Sequence, residues 1–154
     1  MLSTKQKVAT TKILVFSLGE LHLALRLEGV QKVIKMPKIF KSGDKFLGIT
    51  QFENRDVIVL DLYRQIYGVS APHQQGHLII VRTAENTFGL AVGTLPTMLD
   101  VPQTAFCAVS DDFREQDSLG IAESMVEVAL NKHQNTMAFL LDSSFLLELA
   151  KRCQ

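Results

Sequence analysis

The sequence predicts a mainly β protein, two small barrel-like lobes around a shared hydrophobic core with a short helix after each lobe. Three observations lead there. Apolar residues recur at every second position through most of the chain, the spacing of a strand with one face buried. The runs are short and are separated by Gly, Asn, Asp and Pro at turn-forming positions. The two halves also echo each other, each opening on an apolar hairpin and closing on an apolar strand, an Asp and a helix.

The elements follow in order. Residues 13–18 are apolar on both sides except at Ser17, so this strand is covered on both faces. Gly19 and Glu20 turn the chain into Leu21, Leu23, Leu25 and Leu27, which alternate with His22, Ala24, Arg26 and Glu28. A strand over 31–36 stops at Pro37, which has no N–H for a ladder. Strands over 46–52 and 56–60 flank a turn at Asn54-Arg55, where Asn tolerates positive φ. Asp61 caps a helix in which Leu62/Ile66 and Tyr63/Tyr67 are spaced i, i+4, and Gly68 ends it. Residues 69–76 have loop composition and mark the boundary between halves.

The second half starts with strands over 78–82 and 87–92 about a turn at Glu85-Asn86; Gly89, Ala91 and Gly93 share one side and suit close backbone approach. A strand over 97–101 and a polar loop over 110–118 come next, then strands over 119–122, 125–130 and 136–141. Asp142 caps a closing helix with Phe145/Leu149 and Leu146/Ala150 at i, i+4. Ile-Val-Leu-Asp at 58–61 parallels Phe-Leu-Leu-Asp at 139–142. The expected organisation is one domain over 1–154, with lobe one at about 12–68, lobe two at about 77–141 and the terminal helix at 142–152. Lobes this small bury only about 60% of their unfolded surface alone, hence the expected common core.

Composition excludes several function classes. Sixteen basic residues balance sixteen acidic ones, leaving no global field for nucleic acid or an anionic membrane. Lys32, Lys35, Lys38, Lys41 and Lys45 are interrupted by other residues and read as a solvated face. No apolar run approaches the roughly 20 residues of a membrane span. The stretch from Met1 to Lys12 lacks a signal-peptide core, so a cytoplasmic location without membrane insertion is expected. Cys107 and Cys153 lack metal spacing and read as free thiols, with Cys107 buried. His22 falls on the exposed side of a strand, His73 and His77 flank a loop, and His133 sits in a polar turn. Asp111, Asp112, Glu115 and Asp117 lack calcium-loop spacing and read as solvated charge. No cofactor, metal or catalytic set is expected; a small thiol- or histidine-dependent enzyme using Cys107 is the remote alternative.

One set of ordered fragments carries a family resemblance. Ile-Leu-Val-Phe-Ser-Leu-Gly at 13–19, Val-Gln-Lys-Val at 30–33, Phe-Leu-Gly-Ile at 46–49 and Val-Ile-Val-Leu-Asp-Leu at 57–62 are followed by His-Leu-Ile-Ile-Val at 77–81, Gly-Leu-Ala-Val at 89–92 and Leu-Leu-Asp at 140–142. In order and spacing they resemble the CheW-like adaptors, which couple receptors to CheA-type histidine kinases in chemotaxis-type pathways. The resemblance implies two five-stranded SH3-like β-barrel lobes around a common core and no active site. It implies as partners the kinase's regulatory domain, docked on the first lobe, a methyl-accepting-type receptor tip in the groove between lobes, and other CheW-like proteins. Recruitment to membrane-associated receptor arrays, in chemotaxis, phototaxis or pilus motility, follows from the same resemblance.

The departures from the family pattern are local. Where the family reads Gly-Val-x-Asn-Leu-Arg-Gly-x-x-x-Pro-x-x-Asp-Leu, the chain from Gly48 to Leu62 has Glu53 for the Arg, Asn54 for the Gly and Ile58 for the Pro. Where the family reads Val-x-Glu-Val, it has Val30-Gln31-Lys32-Val33. The two charge reversals predict a Lys32–Glu53 ion pair with its poles exchanged. The expected protein-binding residues are Val30, Lys32, Phe52, Glu53, Asn54 and Arg55. An adaptor that binds a kinase or response regulator without a receptor is the alternative, because the replaced Arg lies in a motif the family uses for coupling.

Overall fold

The computed structural model describes residues 9–41, 47–72, 75–84, 86–115, 117, 120–131 and 134–152. The first half forms β1 (Thr10–Leu18), β2 (Leu21–Arg26), a 3₁₀ turn (Leu27–Gly29), β3 (Val30–Lys35), β4 (Phe40–Lys41), β5 (Leu47–Phe52), β6 (Arg55–Leu60) and α1 (Leu62–Tyr67). The second forms β7 (His77–Arg82), β8 (Thr87–Val92), β9 (Thr97–Pro102), a 3₁₀ turn (Gln103–Ala105), β10 (Phe106–Cys107), α2 (Asp111–Arg114), β11 (Ala122–Asn131), β12 (Gln134–Leu141) and α3 (Ser143–Arg152). Apart from α2, both halves run hairpin, four strands, helix.

The mainly β class holds, but the strands are shared out differently from the contiguous lobes 12–68 and 77–141. One sheet has the order β10-β11-β12-β2-β1-β9 and the other β3-β7-β8-β6-β5-β4. The opening hairpin of each half therefore belongs to the sheet built by the other half. Two parallel pairings make the exchange: β2 lies beside β12, with Leu23 opposite Phe139, and β8 beside β6, with Gly89 opposite Val59. Alternation in a sequence says which face of a strand is buried and nothing about its neighbour, so contiguous lobes do not follow from it. Each sheet has a sixth, two-residue strand, β4 or β10, too short to show a period.

Chain length forces both sheets to curl. In a flat sheet β3 and β4 would lie five strand spacings apart, roughly 24 Å. The link over 36–39 reaches at most about 18 Å. The link from β9 to β10, over 103–105, is shorter still. Each sheet thus closes toward a barrel with its own interior. Ile13, Val15, Ala24, Val126 and Leu140 fill one barrel, and Val59, Leu78, Ile80 and Ala91 the other. A third cluster lies between them, where Leu14, Phe16, Leu25 and Phe139 meet Leu60, Ile79, Phe88 and Leu90. This is the expected shared core. Consecutive residues of β1 point alternately into its own barrel and into the shared layer, which is why the strand is apolar on both faces.

Caps and turns follow local chemistry. The Asp61 carboxylate accepts from the Arg64 N–H at 3.2 Å, and Gly68 ends α1 at φ 74°. Asp142 does the same for α3, its carboxylate accepting from the Ser144 N–H at 2.8 Å. Within the acidic loop, Asp117 is structural and not simply solvated: its two oxygens accept the N–H groups of Ile121 and Ala122 and start β11. A Cβ on Gly89 would meet Leu78 Cδ1 at 2.9 Å, so what approaches closely there is a side chain and not backbone, and a Cβ on Gly93 would meet nothing within 4 Å. His22 is half-buried, not exposed, and its Nδ1 lies 2.9 Å from Ser17 Oγ. The expectations for Phe46, Glu85 and Leu119 concern residues outside those described.

The Tyr67 hydroxyl joins the two barrels. At the end of α1, which continues from β6, it donates to the Leu18 carbonyl at 2.7 Å beside the β1–β2 turn. Burial raises its pKa above the ordinary value near 10, an effect partly offset by backbone hydrogen bonds of Leu21 and Glu20. The folded state therefore favours the neutral phenol. The stability this contributes is present in full below the unfolded pKa and is lost as pH rises through the higher folded value. Urea unfolding between about pH 9 and 11 should show this loss in the wild type and less of it in Tyr67→Phe.

Candidate protein-binding cleft

The β5–β6 hairpin ends in a two-residue loop. Phe52 pairs with Arg55, and Glu53 and Asn54 between them have φ of 51° and 64°. Two positive φ values define the turn that matches strand twist and that favours Asn and Gly. The turn is centred one residue earlier than the expected Asn54-Arg55. Asn54 suits it, whereas a Glu held left-handed costs about 1 kcal/mol. Glu53→Asn should therefore stabilise the protein by about 0.5–1 kcal/mol in urea unfolding. An unchanged or lower midpoint would contradict the turn geometry.

Register places a cleft under this tip. Val59, Gly89 and Ile80 stand opposite one another across β6, β8 and β7 on the barrel-interior side. One ladder step pair outward, the same side carries Val57, Thr87 and Arg82, and Arg55 lies a further step pair out on β6. The result is an open cleft of about 490 Å³ at the barrel mouth. Val57 and Phe52 line it together with Gln31, Arg82 and Thr87, and Glu53, Arg55, Asp56 and Asn86 complete it.

Three expected binding residues, Phe52, Glu53 and Arg55, come together in this cleft. Val30 packs instead against the shared core, and Lys32 and Asn54 are exposed outside the cleft lining. The expected Lys32–Glu53 ion pair does not form. Ion pairs among the described residues join Lys12 to Asp100, Arg26 to Glu123 and Arg114 to Asp111. A bulge lies at this point: Val30 pairs with Val81 and Lys32 with Ile80, which leaves Gln31 as the extra residue, and it is Gln31 that lines the cleft. The sequence reading missed Arg82 and Thr87, which only cross-strand register brings to this place.

A second cleft, of about 720 Å³, lies at the other barrel, lined by Lys12, Arg26, Gln103 and Phe106 among others. Its cations are engaged: Lys12 pairs with Asp100 at 3.2 Å, and Arg26 with Glu123, whose hydrogen bond raises the guanidinium pKa. Elsewhere an apolar row runs out of the shared core. From buried Phe88 it passes to half-buried Ile58, then Ile49 at 44% exposure and Phe40 at 58% on the edge strand β4. The Lys38 ammonium sits 5.2 Å from the centre of the Phe40 ring.

The chemical candidates do not converge among the described residues. Cys107, expected to be buried, is exposed on the two-residue strand β10, its thiol 3.5 Å from the Met125 carbonyl. Among the described residues, no group of three or more His, Cys, Asp or Glu side chains is placed to hold a metal ion. No described helix is long and apolar enough to cross a membrane. His73, His133 and Cys153 lie outside the described residues.

A family model described as the CheW-like domain matches residues 12–151, nearly the whole chain. The chain belongs to the CheW-like family. Among solved structures, the scaffolding protein TtCheW from Thermoanaerobacter tengcongensis superposes with a TM-score of 0.72 at 20% identity, over 92% of this chain and 90% of that one. No curated protein matches. In this CheW-like chain Lys32 follows a strand bulge and Glu53 stands on a hairpin tip with positive φ.

Proposed function

We propose that the protein is a non-catalytic adaptor in a chemotaxis-type two-component pathway, joining a sensory receptor to a CheA-type histidine kinase in the cytoplasm. The observation that carries this reading is the CheW-like match over 12–151 on a body whose two barrels share one core. The kinase's regulatory domain docks on the apolar row at Ile49 and Phe40, where exposed apolar surface on a β edge suits protein contact. The barrel mouth near Phe52, Glu53 and Arg55 meets a receptor tip or another CheW-like protein, and such partners recruit the adaptor to receptor arrays. Titration calorimetry against the regulatory domain of a CheA-type kinase from the same genome tests this. Saturable one-to-one binding, weakened at least tenfold by Ile49→Asp, supports it; no heat from the folded protein refutes it.

One observation favours the narrower alternative, an adaptor for a kinase or response regulator without a receptor. Glu53 occupies the hairpin tip where the family pattern has Arg, and a reversed rim charge acts mainly by rejecting partners built for the opposite sign. Kinase binding with no receptor binding would select it. A thiol-dependent activity would require loss of turnover on Cys107→Ala, and the exposed thiol makes that variant well tolerated.

A further inference from the structure

We infer that the cleft at the mouth of the β3–β8 barrel binds a carboxylate side chain presented by an acidic segment of a partner protein. The inference rests on the adaptor reading for the partner, and on the cleft alone for the chemistry. Arg55 and Arg82 both line the cleft, yet among the described residues neither makes an ion pair or a hydrogen bond through its guanidinium. Each guanidinium offers five N–H donors in a planar fork that matches a carboxylate. In the other cleft both cations are already paired.

Register explains how the two arginines converge. Arg82 and Arg55 project from the same side of the sheet, two strands apart and offset by one step pair along the strands. Ladder spacing puts their Cα atoms roughly 12 Å apart, within the combined reach of two long side chains closing on one group. Between them Thr87 supplies a hydroxyl, and half-buried Phe52 supplies apolar surface beside the buried Val57. An acidic residue flanked by an aliphatic one fits this combination, the apolar floor strengthening the charge-assisted bonds above it.

Among the described residues, two acidic ones touch the same cleft and oppose this binding. Asp56 points to the opposite side of β6, with one oxygen 3.5 Å from Gln51 Nε2. Glu53 stands on the tip, and neither carboxylate comes within 4.0 Å of a guanidinium of the pair. They moderate the site without filling it, so removing the Glu53 charge tightens binding.

The test uses the full protein, with the arginine Nε–Hε resonances followed by NMR at low salt. The probe is the peptide acetyl-Glu-Leu-Glu-amide, with acetyl-Gln-Leu-Gln-amide as its neutral twin. Saturable shifts at Arg55 and Arg82 with the acidic peptide only, abolished at Arg55 by Arg82→Gln and strengthened roughly twofold by Glu53→Gln, support the inference. It is overturned if neither resonance saturates, if the neutral twin acts equally, or if Arg26 and Arg114 shift alike. Tighter binding of free glutarate than of the peptide overturns the assignment to a protein segment. Peptide binding without kinase binding would keep the cleft and sink the adaptor reading; kinase binding without peptide binding would do the reverse.

Discussion

Phe88→Ala should destabilise the protein by about 3–5 kcal/mol, the cost of deleting a fully buried aromatic ring. Phe88 is 1% exposed and lies in the cluster between the barrels, in register with Ile58 and opposite Val81. The ring touches the layer to which both sheets contribute, so its loss cannot be absorbed by one barrel alone. In urea, far-ultraviolet circular dichroism and the fluorescence of Tyr63 and Tyr67 should report one transition, moved to lower denaturant together. Two separated transitions would show that the barrels are independent and that the shared layer contributes little. Loss on this scale is a large part of the 5–15 kcal/mol typical of a domain, so a milder probe, Phe88→Leu, should give the same single transition at a higher midpoint.

Gly19→Ala should cost about 2–3 kcal/mol, more than any exposed turn substitution would. Gly19 has φ of 63°, where a Cβ costs about 1–2 kcal/mol by itself. The new Cβ would also lie 2.8 Å from Tyr67 Oη, forcing the phenol away from the Leu18 carbonyl. A lost hydrogen bond of this kind adds roughly 0.5–1.5 kcal/mol. The double variant Gly19→Ala/Tyr67→Phe separates the two terms: the losses should be less than additive, because both remove the same bond. Strict additivity would mean that backbone strain alone is responsible. Gly68 supplies a control, since it too has positive φ but a Cβ there meets nothing within 4 Å.

The sequence made visible whatever depends on near neighbours. The double coverage of β1, the Asp61 and Asp142 caps and the glycines at 19 and 68 are set within a few residues and match the structure, whereas β2, expected to bury one face, buries Ala24 on its other face as well. What depends on pairing across the chain was not visible. The exchange of hairpins rests on contacts such as Leu23 with Phe139, and period-2 patterning is the same whichever strand lies alongside. The bulge at Gln31, which lines the cleft while Lys32 does not, leaves no trace in period-2 patterning. Asp117 looked like one more acid in a charged loop, because its two acceptor bonds go to backbone that carries no side-chain signal. Of the residues lining the candidate cleft, Phe52, Glu53 and Arg55 follow from local motif reading, whereas Arg82 and Thr87 arrive by register alone.

The exchanged hairpins also decide what a fragment of this chain can be. A chain cut within 69–76 would leave two pieces, each holding four strands of one barrel and two of the other. Neither piece could finish a barrel with its own hairpin unless the chain reversed its pairing, so the pieces would stay clasped or collapse together. By the same geometry, two copies of a single half trading hairpins would rebuild both barrels. A polypeptide of half this length could make the same body as a pair of identical chains.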